Sequence, residues 1–334
     1  MVKPEQWLRS TPRGLLCEPG GFTIDPLSPV DYAVVTHGHG DHARPGNAHV
    51  LATPGTIAIM QTRFGEASGK ALQPLAYGES LRIGDVMLRL APAGHILGSA
   101  QAVIEYEGTR VVVSGDYKRR ADPTCPPFEV VSCDLFITEA TFGLPIFRHP
   151  SDRGEIRKLL SSIEIFPERT HLVGTYALGK TQRVLALLRE AGWDKPIWLH
   201  GALLPLTELY IRMGCNFGEL RSATEAAAAE MKGQVVLAPP SAIRDRWSRR
   251  MAEPIRAVAS GWMAVRARVR QASAELPLVI SDHADWDELT LTIRDVGAAQ
   301  VWVTHGNEEA LMHYATGLGI EAKALSLIGY EDEE

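Results

Sequence analysis

The segment His37-Gly-His-Gly-Asp-His42 contains three imidazoles and a carboxylate within six residues. The alternation places the rings of His37 and His39 on one side of an extended segment, and the intervening glycines permit a turn before Asp41 and His42. Neutral imidazole and carboxylate are the ligand set that Zn²⁺ accepts. A solvated polar loop would not need so many potential ligands, so the segment is predicted to bind metal.

Several short apolar runs, typical of buried strands, end directly in polar residues of the same kinds. They are Tyr32-Ala-Val-Val35 before the first histidines, Val111-Val-Val113 before Ser114-Gly-Asp116, Leu278-Val-Ile280 before Ser281-Asp-His283, and Val301-Trp-Val303 before Thr304-His305. Ligands gather at the carboxyl ends of strands in layered α/β folds. These strand ends are therefore predicted to build one site from distant parts of the chain.

The pattern of predicted secondary structure changes twice along the 334 residues. Short strands punctuated by glycine and proline fill residues 1–145 and return in residues 273–334. Between them, strands alternate with helices, including expected helices at Lys180–Ala191 and in the alanine-rich stretch Ala223–Met231. We therefore expect an α/β insert at residues 146–272 within a larger domain.

The metal-competent residues occur in an order that resembles the metallo-β-lactamase superfamily. This ordered set is Asp25, His37-x-His39-x-Asp41-His42, His95 and Asp116. Three further segments resemble motifs A, B and C of its β-CASP nuclease branch: Glu139 in Thr138–Gly143, His283 in Ser281–Ala284, and His305 in Thr304–Gly306. A looser similarity is to the bacterial DNA-ligase-associated exonucleases. It lies in Ser114–Lys118, Asp122–Cys125, Thr141–Pro145 and the ending Gly329–Glu333.

The resemblance implies a role for each of these residues. His37, His39 and His95 would hold one metal ion, Asp41, His42 and His305 a second, and Asp116 would bridge the two. Asp25 and Glu139 would orient the ligand imidazoles. His283 would contact the scissile phosphate or protonate the leaving oxygen. The resemblance thus assigns catalytic roles to Asp41, Asp116 and His283.

The implied fold is an αββα metallo-β-lactamase sandwich with an inserted α/β β-CASP domain acting as a lid. The implied cofactors are two divalent ions, Zn²⁺ first and Mn²⁺ or Mg²⁺ as alternatives, holding a bridging hydroxide that attacks phosphorus. A strand threaded beneath a lid favours exonuclease action on single-stranded DNA ends in DNA repair, with 5′ to 3′ polarity preferred. A DNA ligase and a helicase are the implied partners.

Three other functions remain open. A histidine in motif C is commoner in RNA-cutting members of the branch, so an RNA-processing ribonuclease is the main alternative. A small-molecule metallo-hydrolase would lack an arginine-rich insert, which this chain has. A non-catalytic nucleic-acid-binding module would have lost metal ligands, and the ligands are present here.

A fourth alternative is a nucleotide triphosphatase, because Gly174-Thr-Tyr-Ala-Leu-Gly-Lys-Thr181 matches the phosphate-binding loop pattern. The bulky residues within this segment argue against a nucleotide cradle. We expect Lys180 and Thr181 at a helix N-terminus to bind a substrate phosphate instead.

The net charge of −6 excludes a globally basic nucleic-acid binder, so attraction to phosphate requires a local patch. Lys118 and the run containing Arg246, Arg249 and Arg250 are the candidate phosphate contacts, against the alternative of a solvated helix face. Scattered cysteines, together with the lack of a signal-like or membrane-spanning apolar run, predict a cytoplasmic protein that does not bind membranes.

Overall fold

The computed structural model describes residues 2–251 and 253–325, and the ending Gly329–Glu333 lies outside these residues. The chain folds into two compact units. The first consists of Met1–Arg148 together with the chain from His283 onwards, and the second is His149–Asp282. The extent of the β-CASP insert, 146–272, stays a prediction about domain boundaries.

The described residues form nineteen β-strands, numbered here in chain order. They are β1 (Leu8–Thr11), β2 (Gly14–Cys17), β3 (Phe22–Ile24), β4 (Tyr32–Val34), β5 (His49–Ala52), β6 (Ala71–Pro74), β7 (Ser80–Ile83), β8 (Val86–Pro92), β9 (Ala100–Tyr106), β10 (Thr109–Val113), β11 (Leu135–Ala140), β12 (His171–Gly174), β13 (Ile197–Leu199), β14 (Leu220–Ser222), β15 (Val235–Ala238), β16 (Ile255–Ala259), β17 (Leu276–Leu278), β18 (Gln300–Gly306) and β19 (Glu321–Ala324).

Seven α-helices accompany them in the same residues. They are α1 (Pro54–Phe64), α2 (Asp152–Ile165), α3 (Lys180–Glu190), α4 (Leu204–Arg212), α5 (Arg266–Ala272), α6 (Trp286–Asp295) and α7 (Glu308–Gly317).

The first unit is built on two mixed sheets. One has the strand order β1-β2-β3-β4-β5-β6 and the other β19-β18-β11-β10-β9-β8-β7. Alternate residues of each strand point to opposite faces. In β10, Val111 and Val113 join a core shared with β2, β3 and β4, whereas Val112 faces a core formed with helices α6 and α7.

The outer face of the first sheet is covered in the same way, because Val50 of β5 packs with Ile57 and Met60 of α1. The layers are therefore helix, sheet, sheet and helix. The αββα sandwich predicted from the sequence is confirmed.

The second unit contains one parallel sheet in the order β14-β13-β15-β12-β16-β17. The parallel pairing agrees with the alternation of strands and helices in this part of the sequence. The apolar run that ends at Ile280 contributes Leu276–Leu278 to this sheet, where it pairs with β16. That strand therefore belongs to the second unit, and not to the domain that surrounds it in sequence.

The prediction of a helix over Ala223–Met231 was wrong, since only Ala228–Met231 forms a short 3₁₀ turn. The guanidinium of Arg250 donates to the carbonyl oxygens of Ala223, Thr224 and Ala226 at 2.5–2.7 Å. These tertiary hydrogen bonds take the acceptors that a helix would use, and so override the helix propensity of alanine. Within the described part of the chain, none of the helices has the length and apolar character needed to cross a bilayer.

Candidate metal centre

Strand ends in the first unit carry most of the predicted ligands. β10, β11 and β18 are parallel neighbours, so their carboxyl ends lie along one edge of the sheet. Asp116 follows β10, Glu139 lies near the end of β11, and His305 lies near the end of β18. In the other sheet, Asp25 follows β3 directly and His37 comes shortly after β4. The sequence prediction of one site built from distant strand ends agrees with this arrangement.

One group of side chains consists of His37, His39, His95 and Asp116, whose ligand atoms lie within 4.8 Å of one another. Nδ1 of His39 lies 3.0 Å from Nε2 of His95, and Oδ2 of Asp116 lies 3.3 Å from Nε2 of His37. Ligands about 2.1 Å from a tetrahedral ion would lie about 3.4 Å apart. The spacing and the donor types of this group therefore fit a divalent metal ion.

A second group shares Asp116 with the first. Nε2 of His42 is 3.5 Å from Oδ2 of both Asp41 and Asp116, and Nδ1 of His305 is 3.9 Å from Oδ1 of Asp116. His42, Asp116 and His305 form one potential ligand set, and His37, Asp41 and His42 another. Because the Asp116 carboxylate faces both groups, this cluster could hold divalent metal, and its donors allow for two ions.

Asp25 orients the histidine segment through both of its carboxylate oxygens. Oδ2 accepts from Nδ1 of His42 at 2.7 Å and from Oγ1 of Thr36 at 2.6 Å, and Oδ1 accepts from the Thr36 backbone at 2.7 Å. Fixing the proton on Nδ1 of His42 leaves Nε2 of that ring as the ligand atom. Thr36 also lies 3.1 Å from Nδ1 of His37. Sequence reasoning missed Thr36, although its position between a strand and a ligand was a usable signal.

Glu139 orients the ring of His283, as Asp25 orients that of His42. Its Oε2 accepts from Nδ1 of His283 at 2.9 Å, and its Oε1 accepts from the Tyr117 backbone at 2.7 Å. His283 also lies 4.0 Å from Oδ2 of Asp116. The structure thus brings His283 to the edge of the metal cluster and fixes its ring through a buried carboxylate.

His305 reaches the cluster because β18 is irregular at that residue. Glu139 pairs with Thr304 and Ala140 with Gly306, so His305 is an extra residue opposite a single step of β11. Its backbone is left-handed, with φ +57°. Bulges of this kind redirect side chains beside functional sites, and Gly306, directly after His305 in the strand, is the sequence signal that could have predicted one.

The charges around Asp116 determine which of the imidazoles are protonated. Burial makes ionisation costly, yet the neighbouring His42, His283 and His37 hold the pKa of Asp116 well below its usual range. Burial also opposes protonation of His42, but Asp116, Asp41 and Asp25 raise the pKa of that ring well above normal. A bound cation would take the place of the His42 proton.

His95 and His305 are neutral at physiological pH, which is the form that binds metal. Burial, with the adjacent His283, holds the pKa of His95 well below normal. Burial and the nearby His42 lower the pKa of His305 to about 4.

Lys118 lies inside the first unit and not on its surface. It is fully buried, its Nζ donates to the backbone carbonyl of His283 at 3.2 Å, and it lies 3.7 Å from Glu288 Oε2. Glu288 also accepts from the backbone amides of Arg119 and Arg120. The placement of Lys118 therefore does not support the predicted phosphate contact, because its charge is already neutralised by α6.

Lys180 and Thr181 are likewise buried, at the start of α3 in the second unit. Nζ of Lys180 lies 3.2 Å from Oδ2 of Asp282, and Oγ1 of Thr181 donates to the Tyr176 carbonyl at 2.6 Å. Arg183 on the next turn lies 3.2 Å from Asp152. This ion-pair network occupies the lysine that a nucleotide or a substrate phosphate would need.

The predicted arginines divide into two kinds. Arg246 and Arg249 are exposed, whereas Arg250 is committed to the backbone carbonyls described above. Contact between phosphate and Arg246 or Arg249 stays a prediction.

An αββα sandwich with a His/Asp cluster at its strand ends defines the metallo-β-lactamase class of protein. Residues 8–144 match the model of the Beta-lactamase superfamily domain, so the chain carries such a domain. In fold, the chain is similar to a crystal structure of a protein of unknown function from Enterococcus faecalis. The TM-score is 0.63 at 12% identity, over 89% of this chain and 80% of that one.

The chain is also similar to curated proteins. A probable DNA ligase of Opitutus terrae is 29% identical over 93% of this chain, and a ribonuclease of Thermus thermophilus is 32% identical over 57%. The matched regions span only 30% and 48% of those two proteins. The metallo-β-lactamase resemblance with β-CASP-type relatives, predicted from the motifs, is confirmed.

Proposed function

We propose that this protein is a two-metal phosphodiesterase that hydrolyses nucleic acid, with DNA as the preferred substrate. The observation that carries the proposal is the convergence of His37, His39, His95, Asp41, His42 and His305 around the single carboxylate of Asp116. Bound divalent cations would neutralise charge on a phosphodiester and make water nucleophilic near neutral pH.

Zn²⁺ is the proposed ion, with Mn²⁺ and Mg²⁺ as alternatives. Five of the seven side chains offer imidazole nitrogen, which zinc prefers and magnesium does not. His42 and His305 meet Asp116 in the second group, so that group is also nitrogen-rich.

The protein's own residues supply orientation and a proton. Since Glu139 fixes Nδ1 of His283, the opposite nitrogen of that ring would contact a phosphate oxygen or protonate a leaving oxygen. Asp25 performs the same orienting function for His42. These two carboxylate–histidine pairs keep both rings in place while substrate enters and leaves.

The preference for DNA is supported by the extent of similarity. The probable DNA ligase matches 93% of this chain, whereas the ribonuclease matches 57%. The same relative supports a DNA ligase as partner. Exonuclease action in DNA repair remains part of the proposal. Ribonuclease activity is the second candidate, favoured by the Thermus relative and by the histidine at position 305.

The test uses end-labelled DNA and RNA of one sequence, single- and double-stranded, incubated with Zn²⁺, Mn²⁺ or Mg²⁺. We expect metal-dependent cleavage of DNA that chelation abolishes, with product lengths reporting exonuclease action and polarity. Asp116→Ala and His39→Ala should each lose at least roughly a thousandfold in rate while circular dichroism stays unchanged. The exposed His313→Ala is the matched control. Full activity of metal-stripped Asp116→Ala protein would refute the proposal.

A further inference from the structure

The second unit carries a concentration of exposed positive charge between residues 244 and 270. We define the arginine patch as Arg244, Arg246, Arg249, Arg266, Arg268 and Arg270, all of which are exposed. Within the described residues, none of the six forms an ion pair with a carboxylate. Asp245 is close in sequence, but its carboxylate accepts from the backbone amide of Arg246.

Other arginines of the same unit are neutralised. Arg153 pairs with Glu190 at 3.1 Å, Arg169 with Glu275 at 3.4 Å, and Arg221 with Glu219 at 2.6 Å. The whole chain has 40 acidic residues against 34 lysines and arginines. The six unpaired arginines between residues 244 and 270 are therefore a local concentration of positive charge on a chain that is acidic overall.

The arginine patch is also held together by packing. Ile243, next to Arg244, belongs to one hydrophobic cluster with Met263, and Val269 of α5 packs against that cluster. The guanidinium of Arg244 donates to the carbonyl of Gln271, which ties the first arginines to the end of α5. Arg268 lies over the ring of the half-buried Trp262, at 5.3 Å from its centroid. These links bring the two arginine-bearing segments onto one surface.

We propose that the arginine patch binds the sugar–phosphate backbone of a nucleic acid strand without regard to sequence. That this nucleic acid strand is the substrate of the enzyme rests on the proposed function. Guanidinium groups match phosphate geometry through paired N–H donors, and release of condensed counterions drives such binding. Trp262 beside Arg268 offers a ring on which an unpaired base can stack, which favours a single strand. Val269 of α5 packs against the hydrophobic cluster, so the exposed side of the helix carries arginines and offers no apolar surface to a bilayer.

The experiment measures the affinity of the full-length protein for a fluorescent 30-nucleotide single strand in chelator, by anisotropy, between 50 and 300 mM salt. The test variant is Arg246→Gln/Arg249→Gln/Arg268→Gln. The control, Arg153→Gln/Arg169→Gln/Arg221→Gln, removes the same charge from paired arginines. Losing three contacts should lower the slope of log Kd against log salt by about 2 and weaken binding tenfold or more at 0.1 M. The control should change Kd less than about twofold.

Equal slopes for the test variant and the wild-type protein would overturn the proposal, as would an equal loss in the control. Tight binding of the wild-type protein to polyglutamate or to anionic lipid vesicles, also abolished in the test variant, would overturn the assignment to nucleic acid. Since the chelator prevents cleavage, failure of the proposed nuclease activity would leave this measurement unaffected.

Discussion

Nδ1 of His42 lies 2.7 Å from Oδ2 of Asp25, and this buried pair determines which nitrogen of His42 faces Asp116. Asp25→Asn replaces one acceptor oxygen with a donor, so the His42 ring loses the partner that fixes its tautomer. We expect metal affinity to fall roughly ten- to a hundredfold while the fold survives. Competition with a chromophoric chelator measures the change.

The exposed Asp85→Asn provides a control for the loss of one negative charge, and should bind metal like the wild type. If Asp25→Asn kept wild-type metal affinity, the orienting role assigned to Asp25 would be wrong.

Gly306 permits the bulge that presents His305. Its φ is +94°, and a Cβ there would lie 2.3 Å from the carbonyl oxygen of Ala140. In Gly306→Ala, β18 must move away from β11, and His305 must move with it. We expect bound metal, measured by elemental analysis after gel filtration, to fall from about two ions per chain to about one.

Gly319→Ala is the matched control, because Gly319 also has positive φ, +79°, but has no atom within 4 Å of the added Cβ. It carries a similar backbone penalty without the clash. Retention of both ions by Gly306→Ala would show that His305 does not depend on the bulge.

The ligand set was predictable from the sequence because metal sites require particular side chains and these occur in a recognisable order. His37, His95 and Asp116 lie together in the structure as their order along the chain implied. The αββα layers were predictable because the same ordered residues resemble the metallo-β-lactamase superfamily. The continuous apolar run Val111-Val-Val113 agrees with them, since Val111 and Val112 face two different cores.

The basic residues could not be assigned in the same way, because charge in a sequence carries no information about burial. Lys118 and Lys180 look like phosphate ligands until Glu288 and Asp282, both distant in sequence, are found beside them. Arg250 likewise reaches carbonyls more than twenty residues away. Whether such a basic residue can bind phosphate depends on the residues that contact it in the folded protein.

Lys180 distinguishes a structural network from a nucleotide-binding loop. It is 1% exposed and pairs with Asp282, so Lys180→Met removes one of two cations beside that buried carboxylate and leaves Arg183, 3.7 Å away, as the other. We expect the free energy of unfolding, measured with urea, to fall by about 1.5–3 kcal/mol, the value of a hydrogen bond to a charged group. ATP with Mg²⁺ should not raise the melting temperature of the wild-type protein.

The exposed Lys232→Met should change stability by less than about 0.5 kcal/mol. A nucleotide-dependent rise in melting temperature that Lys180→Met abolishes would restore the phosphate-binding interpretation of this segment.

Glu288 makes the stability of the first unit depend on pH. Burial opposes its ionisation, but Lys118, Arg120 and backbone amides lower its pKa below the usual value of 4.5. A carboxyl group whose pKa is lower in the folded state stabilises the fold fully above pH 4.5, and this contribution is lost as pH falls through the folded-state pKa. Glu288→Gln should therefore cost roughly 2–3 kcal/mol at pH 7, the value of a charged hydrogen bond.

Urea unfolding of the wild type and of Glu288→Gln between pH 7 and pH 3 measures this contribution. The two stability curves should converge below pH 4.5, because the wild-type carboxyl group then takes up the proton that removes its advantage. The exposed Glu309→Gln should follow the wild type throughout. Curves for Glu288→Gln and wild type that stayed parallel down to pH 3 would mean that the ionised carboxylate does not hold Lys118 and Arg120 in place.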